Sequence, residues 1–561
     1  MTSTAAETSN GRLAPEFLIT LVILVSYVIW TLWIPAWPSQ DGPVHLYYAE
    51  IFGKLLRHSD PTLQQYFQIK HLLPPYALYY YALVALSGFA SPFLADRLII
   101  CCYLVSCVFG FRFVAKRLGA SGETATLLAT VLLFNWPLGM GFVNYCLAIS
   151  FALWGLGLWL RFGQRNDLGM RVIFVALAFV IMLTHPVPLM LMLGLCAVLL
   201  GVDVVIARWA EPVQGGTRLW MRDIITLLVS GLTFIYIKIF TTTHPFQAVL
   251  PESGSLVVRV IRRAMRLAKE DGMAVLFGPF PPTRIYRFSL IILLIVCIAV
   301  GLQHTVRCVR QRSWTPSNSI FVLGLLLLVG LPFIPLDLNG LFYFADRLPL
   351  LVWLTLLLGA ASWSMPSRSG ETGRGKKRWV ADAVIVFAIV ANGALLIAMT
   401  RVIWPISRAM VAVDAAPRSV AQQVGFIIED VRQPVGGSNA PSWNPYYWSA
   451  IDVVRHNDAI LANAPWMDET ILPVGPGPAL PEERIPVLQT PMPTHLYGEL
   501  MDHPEQRLRA MDALSFVVVQ QHGRPPLIAS DDLMTKLADG AQGSWKCQTG
   551  AAEWYRLCRH Q

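Results

Sequence analysis

"FLITLVILVSYVIWTLWIPAWPSQDGPVHLYYAE", residues 17–50, decides the fold. Its first part, Phe17 to Trp37, carries no charged side chain and has the length of one bilayer crossing, about 20 apolar residues. It is too long for a signal peptide and lacks a small-residue cleavage site, so it reads as a retained anchor spanning about 15–37. Directly after it come a carboxylate (Asp41), a Gly42-Pro43 turn, an imidazole (His45) and the pair Tyr47 and Tyr48. An acid and an imidazole therefore stand at the lip of a membrane span.

The rest of the chain has the same character. Of 561 residues, 55% are hydrophobic and 14% charged, where a soluble domain carries about 25% charged residues. Mean hydropathy is +0.52. The net charge of +9 does not point to nucleic acid, because Lys and Arg fall in short loops between apolar runs. The loops 115–120, 161–171, 207–223, 305–314 and 367–378 together hold sixteen basic residues against four acidic ones. That asymmetry marks them as cytoplasmic.

With those loops inside, about eleven crossings follow: 14–36, 96–115, 121–139, 143–161, 170–185, 187–206, 223–242, 287–306, 318–334, 346–364 and 379–400. The N-terminus is then cytoplasmic and the tail outside. The expected fold is an all-α polytopic membrane domain over 1–400, followed by a small extracytoplasmic α/β domain over 401–561. "PPYALYYYALVALSGFA" (74–90), counted as a crossing, would invert every later loop, so it is placed as a re-entrant or juxtamembrane helix. The outer loops are 37–95, 243–286 and 335–347. Six of nine cysteines lie in apolar runs and read as small buried hydrophobes. Cys547 and Cys558 flank two short strands around "TGAA" and are either disulfide-bonded or two buried thiols.

Two readings of Asp41 stand open. With Pro43 in the first turn, it is a good N-cap for the helix that follows. Alternatively, it is an outward carboxylate acting as a general base, with His45 four residues on along the same helical face.

"QDGPVHLYYAEI" resembles the acidic motif in the first outer loop of the integral-membrane C-type glycosyltransferases (the GT-C superfamily). "PPYALYYYAL" is similar to the helix after it, and "GFVNYCLAISFAL", "LTHPVPLML" and "FYFADRLPLLVWL" to stretches further along such chains. The resemblance covers roughly residues 14–400. It implies a site open to the outer face, a polyprenyl-phosphate sugar donor, and an acceptor hydroxyl on a glycan, lipid or protein. It also makes Asp41 the base in an inverting transfer. Some relatives carry paired acids, whereas Gly42 follows Asp41 here. One carboxylate offers no evident divalent-ion site, so neither a metal nor another cofactor is expected.

The outer segment 252–272 reads as a basic amphipathic helix, either lying at the headgroup surface or gripping a lipid-borne phosphate through Arg263 or Arg266. Arg284, Arg287 and Arg347 are equivalent candidates. "LADRL" (94–98) and "FADRL" (344–348) echo each other, and the plain reading is a helix-start Asp with an Arg snorkelling to the interface. His185, Asn144 and Tyr145 lie at helix breaks and read either as satisfied structural residues or as substrate contacts. Tyr79, Tyr80 and Tyr81 read either as an interfacial aromatic belt or as a platform on which a sugar stacks. The rival functions are a transporter or flippase of a lipid-linked or glycan substrate, which calls for ionisable residues within spans, and a non-enzymatic scaffold displaying the tail.

Overall fold

The computed structural model describes residues 14–39, 41–59, 61, 64, 67–69, 71–119, 122–165, 167–209, 216–243, 255–268, 284–311, 313–334, 344–360 and 374–412. It also describes strands at 424–430, 460–461, 474–476, 516–521, 545–549 and 555–560. The helices, in chain order, are α1 (Pro15–Trp33), α2 (Gly42–Arg57), α3 (Ala77–Ser87), α4 (Pro92–Leu118), α5 (Gly122–Ala129), α6 (Trp136–Met140), α7 (Val143–Arg165) and α8 (Leu168–Thr184). After them come α9 (Pro186–Trp209), α10 (Gly216–Thr243), α11 (Leu256–Ala268), α12 (Arg284–Arg310), α13 (Pro316–Gly330), α14 (Phe344–Ala360) and α15 (Arg374–Ala412).

Seven of these are long and apolar enough to cross a membrane. The protein is an integral, multi-pass membrane protein. Each crossing read from the sequence has a helical counterpart, and one is not continuous. The run 121–139 breaks into α5, a 3-10 turn (Thr130–Leu132) and α6. Asn135 stops the helix by accepting the Leu138 N–H with its side chain at 3.1 Å, and Pro137 cannot donate to a continuing ladder. The stretch 74–90 forms α3, whose eleven residues reach only about 16 Å at 1.5 Å per residue.

Lipid is as apolar as leucine, so the inward face of a span is set by polar contacts and close packing. In α1, Leu18, Val22, Val25 and Ile29 are exposed, while Phe17, Thr20, Leu24, Tyr27 and Trp30 are buried. Tyr27 donates to Asn392 Oδ1 of α15 at 2.5 Å, and Asn392 Nδ2 donates to Thr130 Oγ1 at 2.9 Å. One amide thus joins the first span, the last span and the broken one. Where α4 meets α7, Gly157 faces Phe113, and an added Cβ would fall 2.0 Å from that ring. Arg171 and Asp223, read from the sequence as loop charges, lie within α8 and α10 and form a buried ion pair at 2.5 Å.

One other expectation is corrected. Tyr79 and Tyr80 are fully buried rather than interfacial. Arg97 is half-buried and donates to the Leu32 and Ile34 carbonyls at the C-terminal end of α1. In α11 the described arginines differ, and Arg262 is exposed. Arg263 is buried and donates to the carbonyls of Ile334 (2.9 Å) and Phe333 (3.3 Å), while Val257, Val258, Ile261 and Met265 are exposed.

The last helix, α15, runs on to Ala412, twelve residues into the expected tail, and the described part beyond it is β-structure: β2 (Val424–Asp430), β3 (Ile460–Leu461), β5 (Phe516–Gln521), β6 (Trp545–Thr549) and β7 (Tyr555–His560), in the sheet order β3-β2-β5-β7-β6. The β2 strand is parallel to β3 and β5, and the remaining pairs are antiparallel. Any helices of the expected α/β domain lie outside the described residues. Cys558 is disulfide-bonded, the seven cysteines before the tail are free, and Cys547 faces Cys558 across the β6–β7 pair, so the bond joins these two. A separate short pair joins β1 (Phe67–Ile69), in the first outer loop, to β4 (Val474–Pro476) in the tail.

Candidate active site

Asp41 occupies the cap position of α2 but does not cap it. Ser39 Oγ takes that role, accepting the Gly42 N–H at 3.1 Å. The Asp41 carboxylate is buried, and its backbone is docked from the other side, with the N–H donating to the Met140 carbonyl at 3.0 Å. The docking is close because residue 141 is glycine with φ +94°. A Cβ there would fall 2.7 Å from Gly42 N and 3.0 Å from Asp41 N. The capping reading is thereby corrected: serine caps, and the aspartate side chain serves something else.

One turn along α2, His45 is buried with its Nδ1 2.7 Å from the Tyr80 hydroxyl. Its ring meets Tyr79 and Tyr80 edge-on, at centroid distances of 5.6 and 5.8 Å. Burial first, and the charge of Arg347 second, push the imidazole down to about 4 from the usual 6.5, so it is neutral at physiological pH.

Arg347 opens α14 and is buried. Its guanidinium lies 4.0 Å over the Phe142 ring and 5.8 Å from the Tyr145 ring, positions that suit cation–π attraction. Nη1 donates to His185 Nε2 at 2.8 Å, while Nε has no hydrogen-bond partner. His185 sits between α8 and α9, with Tyr76 and Tyr145 edge-on at 4.7 and 5.1 Å. The Val187 N–H also approaches His185 Nδ1, at 3.2 Å. A neutral imidazole has one lone pair, and the shorter, charge-assisted contact from Arg347 takes it.

Tyr145 and Asn144, read as possible substrate contacts, face inward. The Tyr145 hydroxyl donates to the Arg347 carbonyl at 2.7 Å, and Asn144 Oδ1 accepts the Tyr145 N–H at 2.8 Å. Together they fix the start of α14. Arg263 Nη1 serves the carbonyls of Phe333 and Ile334, just after α13. Arg266, Arg284 and Arg287 have helical backbone, but their side chains and the loop 335–343 lie outside the described residues. The structure therefore gathers Asp41, His45, His185, Tyr145 and Arg347 around Gly141 and Phe142, with Arg263 outside that group. It brings in Tyr80, read from the sequence as belt or sugar platform, and adds Ser39, Tyr76, Gly141 and Phe142, which sequence reasoning missed as site residues. Their signal was that they lie within the quoted stretches.

A multi-span helical membrane fold with a buried acid, two imidazoles and a guanidinium at one end of the bundle is the class defined here. No protein-family model matches the sequence, and no curated protein matches it. Among solved structures, the chain is similar to ArnT from Cupriavidus metallidurans bound to undecaprenyl phosphate. The TM-score is 0.48 at 13% identity, over 97% of both chains. It is also similar to the arabinofuranosyltransferase AftD from Mycobacteria, with a TM-score of 0.49 at 14% identity over 97% of this chain. The chain spans about 40% of the AftD chain it matches. Likeness at this level bears on neither activity nor substrate.

Proposed function

We propose that this protein is a C-type membrane glycosyltransferase, moving a hexose or pentose from a polyprenyl-phosphate donor to an acceptor hydroxyl on the extracytoplasmic side. The observation that carries the reading is the release of Asp41 from capping: its helix is capped by serine, and Asp41 is buried one turn before neutral His45 on α2. In the proposed step the acceptor oxygen bonds to the anomeric carbon from the face opposite the phosphate. The carbon–oxygen bond to the phosphate breaks, and the lipid phosphate leaves with the electron pair. Asp41 takes the hydroxyl proton, and the anomeric centre inverts. Arg347 meets the growing phosphate charge, which needs electrostatic stabilisation rather than a proton. No metal is invoked. Neutral His45 orients the acid or the donor without adding positive charge beside it.

The test uses purified full-length protein in lipid nanodiscs, a panel of radiolabelled undecaprenyl-phosphoryl pentoses and hexoses, and envelope membranes from a deletion strain as acceptor. Label should enter the envelope fraction with wild type. Arg347→Ala should weaken binding of undecaprenyl phosphate at least about tenfold, or ~1.4 kcal/mol. Arg263→Ala should leave that binding unchanged and lower the melting temperature, because its donors serve carbonyls. Arg266, Arg284 and Arg287 enter the same assay as further phosphate contacts. Absence of transfer across the panel, with transport of lipid-linked substrate in vesicles instead, refutes the enzymatic reading.

A further inference from the structure

The two "ADR" stretches of the sequence end at the same site from opposite sides, and only the second supplies a charge to it. The first, Ala95-Asp96-Arg97, lies one turn into α4, after Ser91 caps that helix by accepting the Leu94 N–H at 3.2 Å. Asp96 is buried and accepts a hydrogen bond from the Tyr79 hydroxyl at 3.0 Å. The next residue on α3, Tyr80, puts its hydroxyl 2.7 Å from His45 Nδ1. Successive helical residues point about 100° apart, so α3 bridges Asp96 on one side and His45 on the other.

Arg97 instead reaches the end of the helix that leads into the site. Its Nε donates to the Phe93 carbonyl at 3.1 Å, and its Nη1 donates to the carbonyls of Leu32 (2.6 Å) and Ile34. These lie at the C-terminal end of α1, where helical carbonyls lack intrahelical partners. The described residues from Ile34 to Ser39 form neither helix nor strand, and the path on to Asp41 is held at successive points. Ser407 Oγ accepts the Ala36 N–H at 3.0 Å and donates to the Ala36 carbonyl at 2.7 Å. Trp37 Nε1 donates to the Leu138 carbonyl at 3.1 Å, and the Asp41 N–H closes the path on Met140. Arg97 is where that path starts.

We infer that Asp96 and Arg97 are positioning residues for the proposed transfer: Arg97 sets where the chain enters Asp41, and Asp96, through Tyr79 and α3, sets the His45 ring. The inference rests on the glycosyltransferase reading. Neither residue touches the reacting atoms. Misplacing a reacting group by about 1 Å costs on the order of 10²-fold in rate, and looser anchoring with a retained contact costs less.

The test takes the undecaprenyl-phosphoryl sugar that wild type turns over, with Arg97→Lys and Tyr79→Phe as the gentlest changes. Arg97→Lys keeps the charge and loses the fork. Tyr79→Phe removes a single hydroxyl. Each should lower kcat about tenfold, with donor KM and the affinity for undecaprenyl phosphate alone within about twofold. Asp96→Asn, which retains an acceptor for Tyr79, should recover most of the rate that Asp96→Ala loses. The deciding readout is Arg97→Lys in an Asp41→Asn background, where a residue acting through Asp41 adds no further loss. A full additional tenfold loss there, or single variants with wild-type kcat, overturns the inference and leaves the reading of Asp41 standing. Near-normal transfer by Asp41→Asn alone overturns the reading itself, and the inference with it.

Discussion

Gly141→Ala places a methyl group where the backbone has no room for it. At φ +94° an alanine costs about 1–2 kcal/mol in backbone strain. The new Cβ would stand 2.7 Å from Gly42 N, 3.0 Å from Asp41 N and 3.2 Å from Asp41 C, all backbone atoms that cannot rotate aside. Forcing apart packed groups adds about 1–3 kcal/mol, so the expected loss of stability is about 2–5 kcal/mol. The strain has one ready outlet, the segment carrying Asp41, whose N–H bond to Met140 is one residue from the substitution. Transfer should therefore fall further than stability does. Thermal unfolding in nanodiscs and label transfer are measured together, with Gly330→Ala as the control. Gly330 has φ −75° and nothing within 4 Å of its would-be Cβ, so alanine there should be near neutral. If Gly141→Ala melts and transfers as Gly330→Ala does, the tight docking of Asp41 on the Gly141 turn is refuted.

Ser39→Ala should lower stability by about 1 kcal/mol through loss of the α2 cap, whereas Asp41→Asn, measured in the same melts and transfer assay, should reduce transfer about 10²-fold or more. Equal transfer losses in the two variants would contradict the division of roles. For His45, the pKa is about 4 in the folded protein against 6.5 normally. Between those values the unfolded chain binds the extra proton, so its contribution is complete above about pH 6.5 and is lost as pH falls toward 4, by about 3 kcal/mol. Denaturation curves of wild type and His45→Gln across that window should diverge, and parallel curves count against a buried neutral imidazole. Cys558→Ser should destabilise the tail sheet by about 3 kcal/mol, read by proteolysis of the intact protein. Full thiol labelling of both tail cysteines in unreduced, denatured protein would rule the bond out.

The membrane fold was legible because spans announce themselves by length and the loops between them by charge. Every helix from α1 to α15 that answers to a crossing could be placed this way. The break at Thr130–Leu132 was hidden because Asn135 and Pro137 sit in a run that is apolar on both sides. Asp41 was legible as an unusual residue but not as a released one, because Ser39 and Asp41 both stand where a cap could be and composition does not choose between them. Tyr79 and Tyr80 misled for a related reason: at a membrane edge, tyrosine suits the interface and the protein interior equally, and only Asp96 and His45 across the gap decide. The bonds of Arg97 are to carbonyls more than sixty residues earlier, which no local pattern contains.

The short ladder between Phe67–Ile69 and Val474–Pro476 also constrains the chain in a way unrelated to its own small size. Two strands can exchange backbone hydrogen bonds only within one compartment. The polypeptide must therefore cross the bilayer an even number of times between Ile69 and Val474, whatever the count of helices. Ten crossings lie in that interval of the charge-based map, and adding or removing a single one is forbidden. Three backbone pairings thus act as a parity check on a topology spread over some four hundred residues.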